Sequence, residues 1–426
     1  MSGSKTILLE LTIMKNNNKD TVCVYPWNSI FIDGLDRIKL CCNAPEPELI
    51  KTDSGELPTF DDLDTIFHSK TFKKIRQNML DGIKDPACKR CWKMEPNSFR
   101  STINTGFPDT VEKIIENNST DSMSLESLTI AIGNQCNLNC RMCSPDASSM
   151  LEKEWSREDK HPLGRSEVTL RGDIIVSDSG IKESYLKDPR LLDFIKNNGK
   201  DLKDVYVFGG EPFIIIEEHL TFLQALIDAG ASKNITLRYS TNGTNTNLRR
   251  FNDLWSHFKK IEIQVSCDGM EEVYDYIRWP SKWTKIKENL KYFAELKRSG
   301  TIYISVACTM QNLTLEQADK FEKFMREEYN LGVFYIPVEY PHEFSLKTVP
   351  IEVLQKVNDD TSIERIKNII QEYIDNYNES ESVAAYNDML KVVKWQDNYR
   401  NQNLYDFFPT IDEWFKDNPA RANYND

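Results

Sequence analysis

The feature that most constrains this chain is a run of three cysteines, Cys136, Cys140 and Cys143, spaced C-x3-C-x2-C and placed directly after a short apolar stretch at 128–132. The stretch reads as a β-strand, so 133–143 is a loop that carries three thiols at one strand end. A four-iron cluster takes four ligands, so three thiolates leave one iron open to bind and activate a further group, whereas a closed structural site recruits a fourth nearby. Zinc is the alternative at this point, because C-x2-C pairs serve it too.

What surrounds the loop sets the fold class. Branched, strand-like runs at 128–132, 205–208, 235–239, 261–266, 302–308 and 333–338 alternate with amphipathic stretches at 215–229, 284–298 and 315–329. This β-then-α alternation predicts an α/β fold, a partial (β/α)6 TIM-like barrel of six strands. A small cysteine-rich N-terminal domain precedes it and a helical C-terminal extension follows. The boundaries expected are 1–20 for an N-terminal segment, 21–104 for the cysteine-rich domain and 105–126 for a linker. The barrel follows over 127–345, with an insertion at about 144–201, and 346–426 is the helical region. Within the insertion a charged helix at 150–160 and a hairpin at 168–176 are expected. The sequence shows no internal repeat.

Composition excludes several classes. The net charge of -13 disfavours a nucleic-acid partner, since phosphate binding requires clustered Lys and Arg. No apolar run reaches membrane-spanning length, and the stretch at 7–14 is broken by Glu10 and lacks a small-residue cleavage site, so a cytoplasmic protein without a membrane partner is expected. Ten cysteines in such a chain point to metal or redox chemistry rather than disulfides. The five histidines are scattered, which gives no support to a histidine-rich metal site.

The strand ends after the cysteine loop carry the next signals. Gly209-Gly210-Glu211-Pro212 follows the second strand, Ser240-Thr-Asn242-Gly243-Thr244 the third, and Ser266-Cys267-Asp268-Gly269 the fourth, with Arg278 in Tyr274-Asp-Tyr-Ile-Arg278 beyond it. Glycines at a strand mouth let backbone approach a ligand, and small polar groups at strand ends are where barrel sites are built. Turn chemistry alone accounts for Asn-Gly and Asp-Gly, and a tight turn for Gly-Gly; the order of the motifs carries the argument. Cys267 and Cys308 read as small buried hydrophobes, with a hydrogen donor as the sharper alternative. Asp397 and Arg400 are spaced to pair on one helix face.

With those residues in view, the chain resembles the radical S-adenosylmethionine (radical SAM) superfamily, whose defining motif is this cysteine spacing after the first strand of a partial barrel. The residue before the third cysteine, usually aromatic there, is Met142. The resemblance implies a 4Fe-4S cluster on Cys136, Cys140 and Cys143 and S-adenosylmethionine on its open iron. It further implies one-electron cleavage of the cofactor to methionine and a 5'-deoxyadenosyl radical, and hydrogen abstraction from a substrate. Cofactor contacts are implied for Gly209, Gly210, Glu211, Ser240, Asn242, Ser266, Asp268 and Arg278. A reductant such as flavodoxin or ferredoxin is implied as a partner.

Upstream, Cys23, Cys41, Cys42, Cys88 and Cys91 offer five thiols. Cys23-Val-Tyr-Pro-Trp27, a hairpin-like strand to Cys41-Cys42, a helical 66–80 and Cys88-Lys-Arg-Cys91 are similar to the auxiliary-cluster module called twitch or SPASM, here preceding the barrel instead of following it. The pattern favours Cys23, Cys41, Cys88 and Cys91 as ligands of one second 4Fe-4S cluster, a zinc site being the alternative. The activity implied is modification of a peptide or an amino-acid-derived small molecule. The alternatives are a zinc-binding, non-catalytic interaction protein on the same scaffold, or an RNA- or sugar-modifying radical SAM enzyme.

Overall fold

The structure, a computed structural model, describes residues 20–34, 37–44, 50–93, 99–157, 160–165, 184–298, 300 and 302–415. Its centre is an eight-stranded sheet in the order β2-β1-β3-β4-β5-β6-β7-β8. The strands are β1 (Ser29–Ile32), β2 (Ile38–Lys39), β3 (Ser127–Ala131), β4 (Asp204–Phe208), β5 (Thr236–Thr241), β6 (Lys260–Ser266), β7 (Ile302–Met310) and β8 (Val333–Pro337). From β3 to β8 every neighbour is parallel and next in sequence. This is the α/β, partial-barrel architecture expected, and each of the six strands lies where its apolar run placed it.

Strands β1 and β3 are buried throughout, and alternation in β5 and β6 explains how the sheet is used. In β6, Ile261, Ile263 and Val265 are buried while Glu262, Gln264 and Ser266 are half-buried. The buried side joins a core with Ile286, Leu290, Phe293, Phe321 and Met325 of the helices Trp283–Arg298 and Ala318–Tyr329. Each such aliphatic side chain contributes about 1.5–3 kcal/mol by leaving water. The opposite side carries polar or amphipathic groups in register, among them Tyr206, Arg238, Glu262 and Tyr303. A parallel sheet packed on both faces is apolar throughout; this one reserves a face for something other than core.

Several elements depart from the sequence reading. The stretch expected as a linker, 105–126, contains the helix Pro108–Asn117, started by a proline at its first position and closed by Asn118 at φ 44°. The cysteine-rich segment is hydrogen-bonded into the sheet: β1 pairs antiparallel with β2 and parallel with β3, with Ile30 opposite Leu128. The helix expected at 150–160 is Ser149–Trp155, capped by Ser148 Oγ accepting from Leu151 N at 3.2 Å. The hairpin at 168–176, the stretch at 7–14 and the tail from 416 lie outside the described residues. The C-terminal region is helical as expected, with Ile351–Asp360, Glu364–Asp375, Glu379–Arg400 and Leu404–Phe407. Among the described residues no helix is long and apolar enough to cross a membrane.

Candidate cluster site at the mouth of the barrel

Beyond β3 the loop 133–143 is held on three sides. Against β4, Gly210 N donates to Gly133 O at 3.0 Å and Glu211 N to Gln135 O at 2.7 Å. Against the helix Ser149–Trp155, Ser149 N donates to Asn134 O at 2.6 Å, Ser148 Oγ to Leu138 O at 2.6 Å and Asn139 Nδ2 to Glu154 Oε2 at 2.7 Å. Against the turn after the helix Glu271–Ile277, Asn139 N donates to Trp279 O at 2.7 Å and Arg141 N to Ile277 O at 3.0 Å. Much of the loop's polar backbone is thus bonded inside the protein, which fixes the course of the segment that carries the three thiols.

Gly209 and Gly210 make this closeness possible. Gly209 has φ +124°, and a Cβ on Gly210 would stand 2.0 Å from the Gln135 carbonyl oxygen. Backbone cannot give way as a side chain can. Gly210→Ala is therefore expected to push the cysteine loop off β4 and to lower bound iron towards half of the wild-type amount, read by iron and sulfide analysis of the purified protein.

Glu211 is fully buried and accepts from Thr241 Oγ1 at 2.7 Å, Asn242 N at 2.6 Å and Phe213 N at 3.1 Å. Burial raises its pKa above the usual carboxylate value against the pull of those bonds. Asn242 Nδ2 donates to Asn137 Oδ1 at 2.8 Å and reaches Cys136 Sγ at 3.8 Å. Asp268 is buried and accepts from Arg278 Nε at 2.7 Å, Thr309 N at 2.6 Å and Thr309 Oγ1 at 2.9 Å. Arg278, expected from the resemblance as a cofactor contact, is buried on Asp268 and directs Nη1 to Cys140 Sγ at 3.9 Å. Ser240 pairs with Tyr206 Oη at 2.6 Å, and Ser266 ends β6 half-buried on the side away from the helices. Cys267 and Cys308 are buried.

All three loop thiols are driven up by burial, Cys136 to about 12 with Cys140 adding to the effect. Thiolate formation here needs a compensating cation, so metal uptake releases protons and weakens as pH falls.

Sequence reasoning missed what clamps this loop from behind. Asp397 and Arg400 do not pair with each other; each finds a more distant partner across the fold. Arg141 is fully buried, with Nη2 2.5 Å from Asp397 Oδ1, Nη1 donating to Gln396 Oε1 at 3.0 Å and its guanidinium over the Tyr276 ring at 3.5 Å. Arg400 Nη2 lies 3.0 Å from Glu154 Oε2, both side chains fully buried. A charged residue between two cysteines of the loop hints at a buried partner, but no local pattern says which.

The upstream cysteines gather as well. Cys23, Cys41, Cys88 and Cys91 line one cavity together with Tyr25, Asn43, Met79 and Arg100, and Cys42 is not among its walls. Pro86 starts the turn that carries Cys88, and Asp85 caps it by accepting from Ala87 N at 2.9 Å. Asn43 Nδ2 reaches Cys91 Sγ at 3.9 Å. Burial pushes the Cys23 thiol up to about 12. Among the described residues no three His, Cys, Asp or Glu side chains stand at the spacing of a single metal ion. Both sites are nonetheless all-thiol donor sets, the kind iron-sulfur clusters take.

With three thiols at the mouth of β3 in place, residues 130–325, just under half of the chain, match the family model described as the Radical SAM superfamily. No curated protein matches. Among solved structures the chain is similar to anSMEcpe with bound AdoMet (17% identity over 60% of this chain and 60% of that one, TM-score 0.38). It is also similar to Streptococcus suis SuiB bound to S-adenosylmethionine (16%, 67% and 61%, 0.36) and to SuiB bound to precursor peptide SuiA (15%, 68% and 58%, 0.34). The match thus spans about three fifths of the length of each of these proteins.

Proposed function

We propose that the chain is a radical SAM enzyme that abstracts hydrogen from a peptide or an amino-acid-derived substrate and uses a second, auxiliary 4Fe-4S cluster. The observation that carries this reading is the cysteine loop of a radical SAM domain locked by its own backbone onto Gly210 and Glu211. Cys136, Cys140 and Cys143 would hold the first cluster. When bound, the cluster and S-adenosylmethionine supply one-electron cleavage of the sulfonium to methionine and a 5'-deoxyadenosyl radical.

The protein's own part is positioning and exclusion. Glu211 fixes the end of β5 through Thr241 and Asn242, so that Asn242 stands beside Cys136. Asp268 joins the ends of β6 and β7 through Thr309 and fixes Arg278 beside Cys140. The half-buried side of the sheet, with Ser240, Ser266, Gln264 and Tyr206, would be the room for cofactor and substrate. Cys23, Cys41, Cys88 and Cys91 would hold the auxiliary cluster at all four corners, which suits electron acceptance after hydrogen abstraction better than substrate ligation. The likeness of this module to twitch and SPASM modules is what supports a peptide or amino-acid-derived substrate. A flavodoxin or ferredoxin would deliver the electron, in the cytoplasm.

The ligand choice is directly testable. Cys41→Ser is expected to lose about four irons per chain, one cluster's worth, while Cys42→Ser keeps the wild-type count, read by anaerobic iron and sulfide analysis. Equal loss in both variants would reject Cys41 as the ligand, and bound zinc in place of iron would reject the auxiliary cluster itself.

A further inference from the structure

The three loop thiols sit in unlike surroundings. Cys136 meets the neutral amide of Asn242 at 3.8 Å, and Cys143 meets the Ser144 carbonyl at 3.8 Å with the Asp146 carboxylate near by. Cys140 meets cations instead: Arg278 Nη1 at 3.9 Å, with Arg400 as a second, more distant positive charge. Both arginines are buried and each is held by a buried carboxylate, Arg278 by Asp268 with Nη2 at 2.7 Å and Arg400 by Glu154. Asp268 is fixed in turn by the backbone and side chain of Thr309. Nε and Nη2 of Arg278 are spent on Asp268 and Nη1 on Cys140, which gives the guanidinium one defined position against the sulfur.

We infer that Arg278 is a positioning residue that donates to the Cys140 thiolate and, by its buried charge, sets the reduction potential of the cluster held on that loop. This rests on reading the loop as cluster-binding. Reduction adds a negative charge to the cluster. A donor and a cation at one of its sulfurs favour that added charge, and they act strongly where water is excluded. Asp268 offsets part of the charge but stands behind the guanidinium, so the sulfur meets the positive end of the pair. The Asp268–Arg278 pair is therefore a tuning device for this corner of the cluster, separate from any contact with the cofactor.

The test is an EPR-monitored redox titration of the anaerobically reconstituted full chain, following the signal that changes when S-adenosylmethionine is added. Wild type, Arg278→Gln and the double variant Asp268→Asn/Arg278→Gln are compared, each with and without the cofactor, alongside iron and sulfide counts. The double variant removes both charges together, because breaking a buried pair on one side leaves an uncompensated charge that can unfold the region. The expected result is a midpoint shifted to more negative potential in Arg278→Gln already without cofactor, and a smaller shift in the same direction in the double variant. An unchanged midpoint without cofactor overturns the inference. So does a shift that emerges only with S-adenosylmethionine, which assigns Arg278 to the cofactor instead. If Arg278→Gln binds no cluster, the double variant decides by the same criterion. A wild-type chain that takes up no iron defeats the cluster reading itself, and this inference with it.

Discussion

Replacing Cys136, Cys140 and Cys143 together by alanine is expected to lower iron from about eight atoms per chain to about four and to abolish 5'-deoxyadenosine formation from S-adenosylmethionine. The expectation follows from where the residues stand. The three thiols share one loop whose backbone is tied to Gly210 and Glu211, to the Ser149–Trp155 helix and to the turn at Trp279, so the loop keeps its course without its side chains. The auxiliary cavity is walled by a different set, Cys23, Cys41, Cys88 and Cys91, and should keep its metal. Iron and acid-labile sulfide counting, with chromatographic assay of the nucleoside after dithionite reduction, reads both arms. Loss of all iron would mean that the two sites do not fill independently.

The second large effect is expected at the far end of the chain. Asp397→Ala strands Arg141 with no counter-charge at a fully buried position, and removing one partner of such a pair costs about 3–5 kcal/mol. Arg141 sits between Cys140 and Cys143, so the loss should appear as a lowered melting temperature together with a depleted first cluster. Arg141→Met/Asp397→Leu, which removes both charges, should recover much of the stability, because an apolar replacement of a buried pair is often neutral. Thermal melts and iron content of Arg141→Met, Asp397→Leu and the double variant make a double-mutant cycle, and a pairwise coupling near zero would show that the pair does not link helix to loop.

The parts legible in the sequence were those written locally. β5 and β6 carry period-two burial, β3 is a short apolar run buried throughout, and the spacing of the cysteine loop and of Gly209-Gly210 places both at strand ends. What escaped was non-local. The four residues of β1 have no pattern that says they pair with β3, nearly a hundred positions on, and the hairpin was assigned to a domain of its own. Asp397 and Arg400 have spacing that suits a helical pair, yet Arg141 and Glu154 offer each a buried partner from 256 and 246 positions away, and burial decides in their favour. The choice between Cys41 and Cys42 rested on resemblance. In the structure Cys41 lines the four-cysteine cavity, and Cys42 stands close enough to act on the Cys23 and Cys41 thiols.

The central claim is that this fold holds two iron-sulfur clusters and uses one of them to cleave S-adenosylmethionine. The most direct measurement is anaerobic reconstitution of the full chain with iron and sulfide, followed by addition of S-adenosylmethionine and dithionite and quantitation of 5'-deoxyadenosine. The account predicts about eight irons per chain and nucleoside formation that requires Cys136, Cys140 and Cys143. A protein that binds zinc and takes up neither iron nor sulfide would contradict it.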